Sequence, residues 1–289
     1  MLTAHKVLNN NVVLCTNDAG EEYVAIGRGI AFLVPVGGAV DPAKVHRLFV
    51  SADRERADRL ARRIAALPIA HVDLAIAIAE EAGIRFGDHV VDRLIVPLAD
   101  HLDGAIDRVR AGISIDYPLR WEATAFYPRE VAFGREAIAT VERLAEVTLP
   151  EIEAIPIGLH IVNAELGAES VAATMDITDV IGRCVALVHE RLSLSRAADD
   201  HAVARFASHV LHLLARRRTE AGSSDALGSL LAPLREKQPD EYAAAGEMAL
   251  IISDRIGAAL SPEEVLLLTL HVVRLAGSAR APAEGRADG

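Results

Sequence analysis

Two short polar clusters and a set of recurring histidines hold the side chains most capable of chemistry. LNNN (8–11) is followed, after a β-prone stretch, by GRGIAF (27–32). Asn amides offer both donors and acceptors to base edges. Gly27 and Gly29 let backbone approach a ligand closely. Arg28 brings a planar fork suited to phosphate or guanine, and Phe32 offers a face on which an unpaired base can stack. On physical grounds alone, two structural turns are the plainer reading: Asn for a hairpin, Gly for backbone room. The binding reading gains force because both clusters fall within one short β-prone unit.

Histidine supplies the second chemistry. The chain has 11 histidines, and a lone His in a helix is more often packed or solvated than reactive. His5, His46, His71, His89, His189, His201 and His212 take that plain reading. The other four recur. FYPREVAFGREAIATVERLAEVTLPEIEAIPIGLHIV (126–162) can be laid on KQPDEYAAAGEMALIISDRIGAALSPEEVLLLTLHVV (237–273). Pro128 falls on Pro239, Glu136 on Glu247, Arg143 on Arg255, Pro150 on Pro262 and His160 on His271, at an offset of 111 or 112. Upstream, LADHLDGAIDR (98–108) meets FASHVLHLLAR (206–216) at offset 108, with His101 on His209. A duplicated domain of about 105 residues accounts for this. Imidazole can hold a phosphoryl group on a ring nitrogen and pass it on, because the P–N bond is labile. The group brings roughly −2 charge. Near an interface that charge repels a neighbour or recruits an Arg, and so shifts a two-state equilibrium.

The elements that must position these groups change character along the chain. HKVLNNNVVLCT reads as two strands joined by Asn9, Asn10 and Asn11, a hairpin signal because Asn tolerates positive φ. NDAGEE is a second turn, EYVAIGRGIAFLV a third strand region broken by its glycines, and VHRLFV a last strand. Four or five strands in about fifty residues make a small antiparallel unit with a limited core, for which a partner copy is a remedy. SADRERADRLARR (51–63) is Arg-rich and helix-prone. From residue 64 the pattern is helical, with Ala and Leu favouring helices. LPEIEAIPIGLHIV and SPEEVLLLTLHVV each open with Pro and first-turn acids. GSARAPAEGRADG (277–289) is small and polar, and disorder is expected there.

Bulk properties narrow the classes. At 289 residues, two or three domains are expected. The net charge of −11 argues against non-specific nucleic-acid binding. Residues 1–50 hold Lys6, Arg28, Lys44 and Arg47 against Asp18, Glu21, Glu22 and Asp41, so the acidic excess lies beyond them. Cys15 and Cys184 make no disulfide framework and read as reduced thiols of a cytoplasmic protein. MLTAHKVLNNN lacks the basic-then-apolar form of a secretory signal. No apolar run reaches the ~20 residues that span a bilayer, so membrane insertion is not expected.

KVLNNNVV followed by GRGIAF resembles the head of the BglG/LicT family of transcriptional antiterminators. Two duplicated helical domains with two histidines each complete that layout, so the resemblance covers about residues 1–276. It implies a co-antiterminator head that works as a homodimer and clamps an antiterminator hairpin in the leader mRNA of a sugar-utilisation operon, keeping the overlapping terminator from forming. By match to the family motif, the RNA-facing residues are Lys6, Asn9, Asn10, Asn11, Gly27, Arg28, Gly29 and Phe32, with Asn11, Arg28 and Phe32 foremost. The helical repeats resemble phosphotransferase regulation domains, whose phosphorylated histidines fall by match on His101, His160, His209 and His271. Asp100 before His101 keeps a family habit. The resemblance implies inhibition through the first copy by a sugar-specific EIIB of the permease, and activation through the second by the carrier HPr. Two features depart from the pattern. LVPVGG after Phe32 is apolar where family heads are basic. Pro156 sits in the helix expected to lead to His160, where it is expected to remove a hydrogen bond and kink the helix.

The expected architecture is therefore multidomain: an antiparallel all-β RNA-binding head (1–55), a linker (56–65), two all-α helical-bundle regulatory domains (66–170 and 171–277), and a disordered tail (278–289). No cofactor, metal or enzymatic activity is expected. Two rivals remain. His209 and His212 share a helix face near His201, as in a metal enzyme, yet HExxH and Cys-x-x-Cys are absent. A DNA-binding activator with the same regulatory repeats would need a helix-turn-helix, which the strand-like, Gly-rich head does not offer.

Overall fold

In the computed structural model, residues 1–51, 53–117, 119–167, 170–194, 200–216 and 231–280 are described. The chain divides into two compact units, Met1–Asp116 with Ala132–Gly167, and Tyr117–Val131 with Ala168–Gly289.

The first unit opens with a four-stranded antiparallel meander, β1 (Thr3–Asn9), β2 (Val12–Thr16), β3 (Glu22–Ile26) and β4 (Arg47–Ser51), in the order β1-β2-β3-β4. Both faces of β2 are buried: Val12 and Leu14 on one side, Val13 and Cys15 on the other. A strand covered on both faces reads as an unbroken apolar run, as VVLC does. One face packs on α1 (Arg54–Ala65) through Ala57, Ala61 and Ile64, and that core continues into the helices that follow. The other face closes over Ala4, Ala25, Ile30, Ala31 and Val40. Asp53 starts α1 by accepting the Arg56 amide at 2.8 Å, an N-cap that its acidic short side chain is suited to make. The segment read as a linker, 56–65, is thus most of a helix seated on the sheet.

The β1–β2 hairpin forms where the Asn run predicts, by a different device. No residue of the turn has positive φ. The Asn9 side chain instead accepts the Asn11 amide at 2.8 Å, an Asx turn, and β1 carries an irregularity between Val7 and Asn9.

The helices then run α2 (Ile69–Phe86), α3 (Val91–Arg110), α4 (Arg120–Phe126), α5 (Pro128–Ala145) and α6 (Ala154–Leu166). The second series is α7 (Val171–Arg191), α8 (Asp200–Arg216), α9 (Leu231–Lys237), α10 (Pro239–Ile256) and α11 (Pro262–Arg280). The two series match one for one, so the duplication read from offsets reappears as a repeated helix order. An N-terminal antiparallel sheet followed by all-helical repeats is the expected fold. The expected disordered tail (278–289) begins inside α11, which runs to Arg280, and its remainder lies outside the described residues.

Pro156 does not kink a helix. Glu151–Glu153 form a 3-10 turn and α6 begins at Ala154, which puts Pro156 in the first helical turn. Amides there have no intrahelical acceptor, so a missing N–H costs nothing. The interior proline is Pro97 of α3, one turn before His101.

Candidate RNA interface and histidine pairs

At one end of the sheet the Asn turn and the Gly-Arg-Gly turn are lashed together. The amide of Gly27 donates to the Asn11 carbonyl at 3.0 Å and that of Ala31 to the Asn10 carbonyl at 3.1 Å. The Asn11 side-chain oxygen accepts the Gly29 amide at 2.9 Å. Each glycine is required for a separate reason. Gly29 has φ +65°, a left-handed conformation that favours glycine, whereas a Cβ on Gly27 would stand 1.7 Å from the Lys44 carbonyl oxygen. The result is a rigid double turn from which Asn10, Arg28 and Phe32 emerge. The Phe32 ring is 60 % exposed, beside the exposed Leu33 and Val36.

The eight matched residues do not all share that place. Asn9, Asn10, Asn11, Gly27, Arg28, Gly29 and Phe32 belong to the paired turns. Asn9 is consumed by structure, because its amide nitrogen also donates to the Ala65 carbonyl at 3.0 Å and so ties the turn to the end of α1. Lys6 lies farther along β1 and is in ion-pair contact with Asp58 of α1. The guanidinium of Arg28 meets Asp73 of α2 at 2.7 Å, and Asp73 also holds His46 at 3.1 Å. Lys6 and Arg28 thus both face carboxylates of the same chain. Among the described residues, Arg47 likewise contacts Asp92 of α3 at 3.1 Å.

The four recurring histidines meet two by two. His101 of α3 and His160 of α6 have ring centroids 5.1 Å apart. His209 of α8 and His271 of α11 stack at 3.7 Å with planes inclined by 21°. In the first pair, His101 Nε2 lies 2.9 Å from an oxygen of Glu153, and Arg108 donates to the other oxygen at 2.8 Å. Glu153 is 1 % exposed. Burial alone would push its carboxyl up, but the contacts with His101 and Arg108 outweigh that and hold it below the usual range. Burial, and then the charge of His101, push His160 down to about 3, so His160 is neutral near pH 7. Its Nδ1 is buried without a partner.

The second pair opens on a cavity of about 260 Å³ lined by Arg205, Phe206, His209, His271 and Arg274. His271 is pushed down to about 4 by partial burial, aided by His209 and Arg274. Among the plain histidines, His5 meets Glu22 at 2.6 Å and His71 meets Asp103 at 2.7 Å, whereas His189 Nδ1 is buried without a hydrogen-bond partner. The metal reading rested on His209 and His212 with His201 near, and the side chains of His201 and His212 lie outside the described residues. Among the described residues, no cluster of ligands fit for a metal ion is found, and no helix is long and apolar enough to cross a membrane.

Residues beyond the sequence expectation are Asp73, Arg108, Glu153, Arg205 and Arg274. The duplication held a signal for one of them. At the His160-to-His271 offset of 111, Glu153 falls on Glu264.

Comparison with known proteins agrees with this layout. Residues 3–58 match the CAT RNA binding domain, and residues 73–164 and 183–275 each match the PRD domain. The chain is 31 % identical to transcription antiterminator LicT of Bacillus subtilis over 93 % of its length and 97 % of that protein. It is 33 % identical to the beta-glucoside operon antiterminator of Dickeya chrysanthemi, over 93 % of this chain and 95 % of that one. A crystal structure of GlcT CAT-PRDI matches 56 % of this chain and 97 % of its own at 27 % identity, with a TM-score of 0.47.

Proposed function

Since the chain belongs to the family of transcription antiterminators built from a CAT RNA-binding domain and two PRD domains, we propose that it binds a hairpin in a leader mRNA as a homodimer and prevents a terminator from forming. The observation that carries this is the lashed double turn. It spends Asn9, Asn11, Gly27 and Gly29 on rigidity and leaves the Arg28 guanidinium and the Phe32 ring on the surface. Arg suits phosphate and guanine bidentately, and an exposed ring suits an unpaired base in a loop or bulge. The near-zero charge of residues 1–50 favours recognition by shape and stacking over bulk electrostatics.

The paired histidines support control by phosphorylation. Each pair joins two helices of one repeat, so a phosphoryl group arriving there places charge at a packing interface. We assign the acceptor positions to His101, His160, His209 and His271. Phosphorylation of the first copy, by the sugar-specific EIIB, inhibits. Phosphorylation of the second, by HPr, activates. The operon is one of sugar utilisation, and the protein acts in the cytoplasm. A reporter behind the chain's own leader tests the scheme. His101→Ala should give readthrough without inducer, and His209→Ala should lose readthrough even with it. Unchanged inducer dependence in His101→Ala would contradict the sign given to the first copy.

A further inference from the structure

The two histidine pairs differ in what stands beside them. In the first, the buried Glu153 carboxylate stands against both partners: one oxygen lies 2.9 Å from His101 Nε2, at ion-pair distance but outside hydrogen-bond geometry, and the other accepts from Arg108 at 2.8 Å. Arg108 lies two turns after His101 on α3. It runs over Gly104, where a Cβ would come within 3.3 Å of its guanidinium. An anion thus already stands between the imidazole and a cation. In the second pair, Glu264 aligns with Glu153 but is turned to another task. It accepts the Ser261 amide at 2.6 Å while its own amide donates to the Ser261 hydroxyl at 3.3 Å, a capping box at the start of α11. The cavity beside His209 and His271 holds Arg205 and Arg274, and among the described residues no carboxylate lines it.

We propose that Glu153 is a resident anion of the first pair, occupying the place between His101 and Arg108 that a phosphoryl group on His101 must take. This rests on the reading of the four histidines as phosphoryl acceptors. Phosphate and carboxylate compete for the same ring nitrogen and the same guanidinium. The incoming group brings roughly −2 charge against the carboxylate, so the two cannot remain together. Loading His101 therefore evicts Glu153 and transfers Arg108 to the phosphate. Because Glu153 is the residue immediately before α6, its eviction moves the first turn of the helix that carries His160. The first copy is a guarded acceptor whose chemistry is tied to a helix shift.

Phosphoramidate, a small donor, tests this on the full chain without any carrier protein. The lone pair of the imidazole nitrogen forms the new P–N bond, the donor's P–N bond breaks, and ammonia leaves with its electron pair. The ring keeps its other N–H proton. Site-resolved mass spectrometry over time follows labelling at each of the four histidines. Glu153→Gln keeps the shape and removes the charge. It should speed labelling at His101 about tenfold, a size expected for one like charge at contact distance, and leave the second pair unchanged. Arg108→Gln should leave His101 slow, and adding it to Glu153→Gln should reduce the gain. Melting curves of each variant check that the first unit is intact.

Equal rates at His101 in wild type and Glu153→Gln would overturn the proposal. Slower labelling in Glu153→Gln would also overturn it, because Glu153 would then orient the ring for attack through Nδ1. A gain in Arg108→Gln equal to that in Glu153→Gln would assign the effect to loosening of the pair and overturn it too. Absence of label at all four histidines in every variant would instead strike at the acceptor reading beneath it.

Discussion

Individual side chains in the first unit act through partners far away in sequence, and that decides their titration behaviour. His160 sits down at about 3, so the unfolded chain takes up a proton as pH falls below the usual ~6.5 while the folded chain does not. Its contribution is complete above ~6.5 and erodes between there and about 3. Glu153 is also depressed, so its contribution is present above the usual Glu value of ~4.3 and erodes only below it. Acidification from pH 7 to pH 5 should therefore cost the first unit stability mainly through His160, up to about 2 kcal/mol, while the depressed His271 brings its own loss in the second unit. His160→Gln should flatten that loss in melts at the two pH values; an equal loss in the variant would place its origin elsewhere. Arg28 and Asp73 make a surface pair worth about 0–1 kcal/mol to the fold. Asp73→Asn should barely move the melting temperature yet tighten RNA binding several-fold by releasing Arg28, as a titration would show. Unchanged RNA affinity would mean that Asp73 does not compete for it. No local pattern joins these partners, since Arg28 and Asp73 are 45 residues apart and His101 and Glu153 are 52 apart, and the match of Glu153 to Glu264 in the duplication was the one signal for any of them.

Elements were legible where a local rule decides them. The Asn run gave its hairpin, although through an Asx turn rather than positive φ, since a side-chain acceptor and a left-handed backbone are two answers to one turn. Pro156 was misread because its effect depends on where the helix begins, and boundaries are set by the 3-10 turn at Glu151–Glu153. α1 showed its charge but not its use. The buried stripe of Ala57, Ala61 and Ile64 follows helical spacing and closes one face of the sheet. Ile64→Ala should destabilise the first unit by about 2–5 kcal/mol, measured by denaturant unfolding. A cost well below that range would show that α1 is a tether and not part of the core.

For the molecule as a whole, the duplication was the most legible feature, because repeated offsets survive substitution of nearly everything between them. It placed four histidines, and the two helical series pair them as α3 with α6 and α8 with α11. What the duplication hides is divergence between copies: Glu153 guards a pair, while Glu264 caps a helix. The central claim is that the double turn reads folded RNA. Its most direct measurement is a titration of the full chain against the hairpin of its own upstream leader, with duplex DNA of the same sequence as competitor. Arg28→Ala and Phe32→Ala serve as probes, because both side chains are exposed and Arg28 gives the fold no more than one surface ion pair. The prediction is tight hairpin binding that the duplex does not displace and that falls at least tenfold in either variant, a size expected for one lost bidentate or stacking contact. Full affinity in both variants, or preference for the duplex, would contradict it.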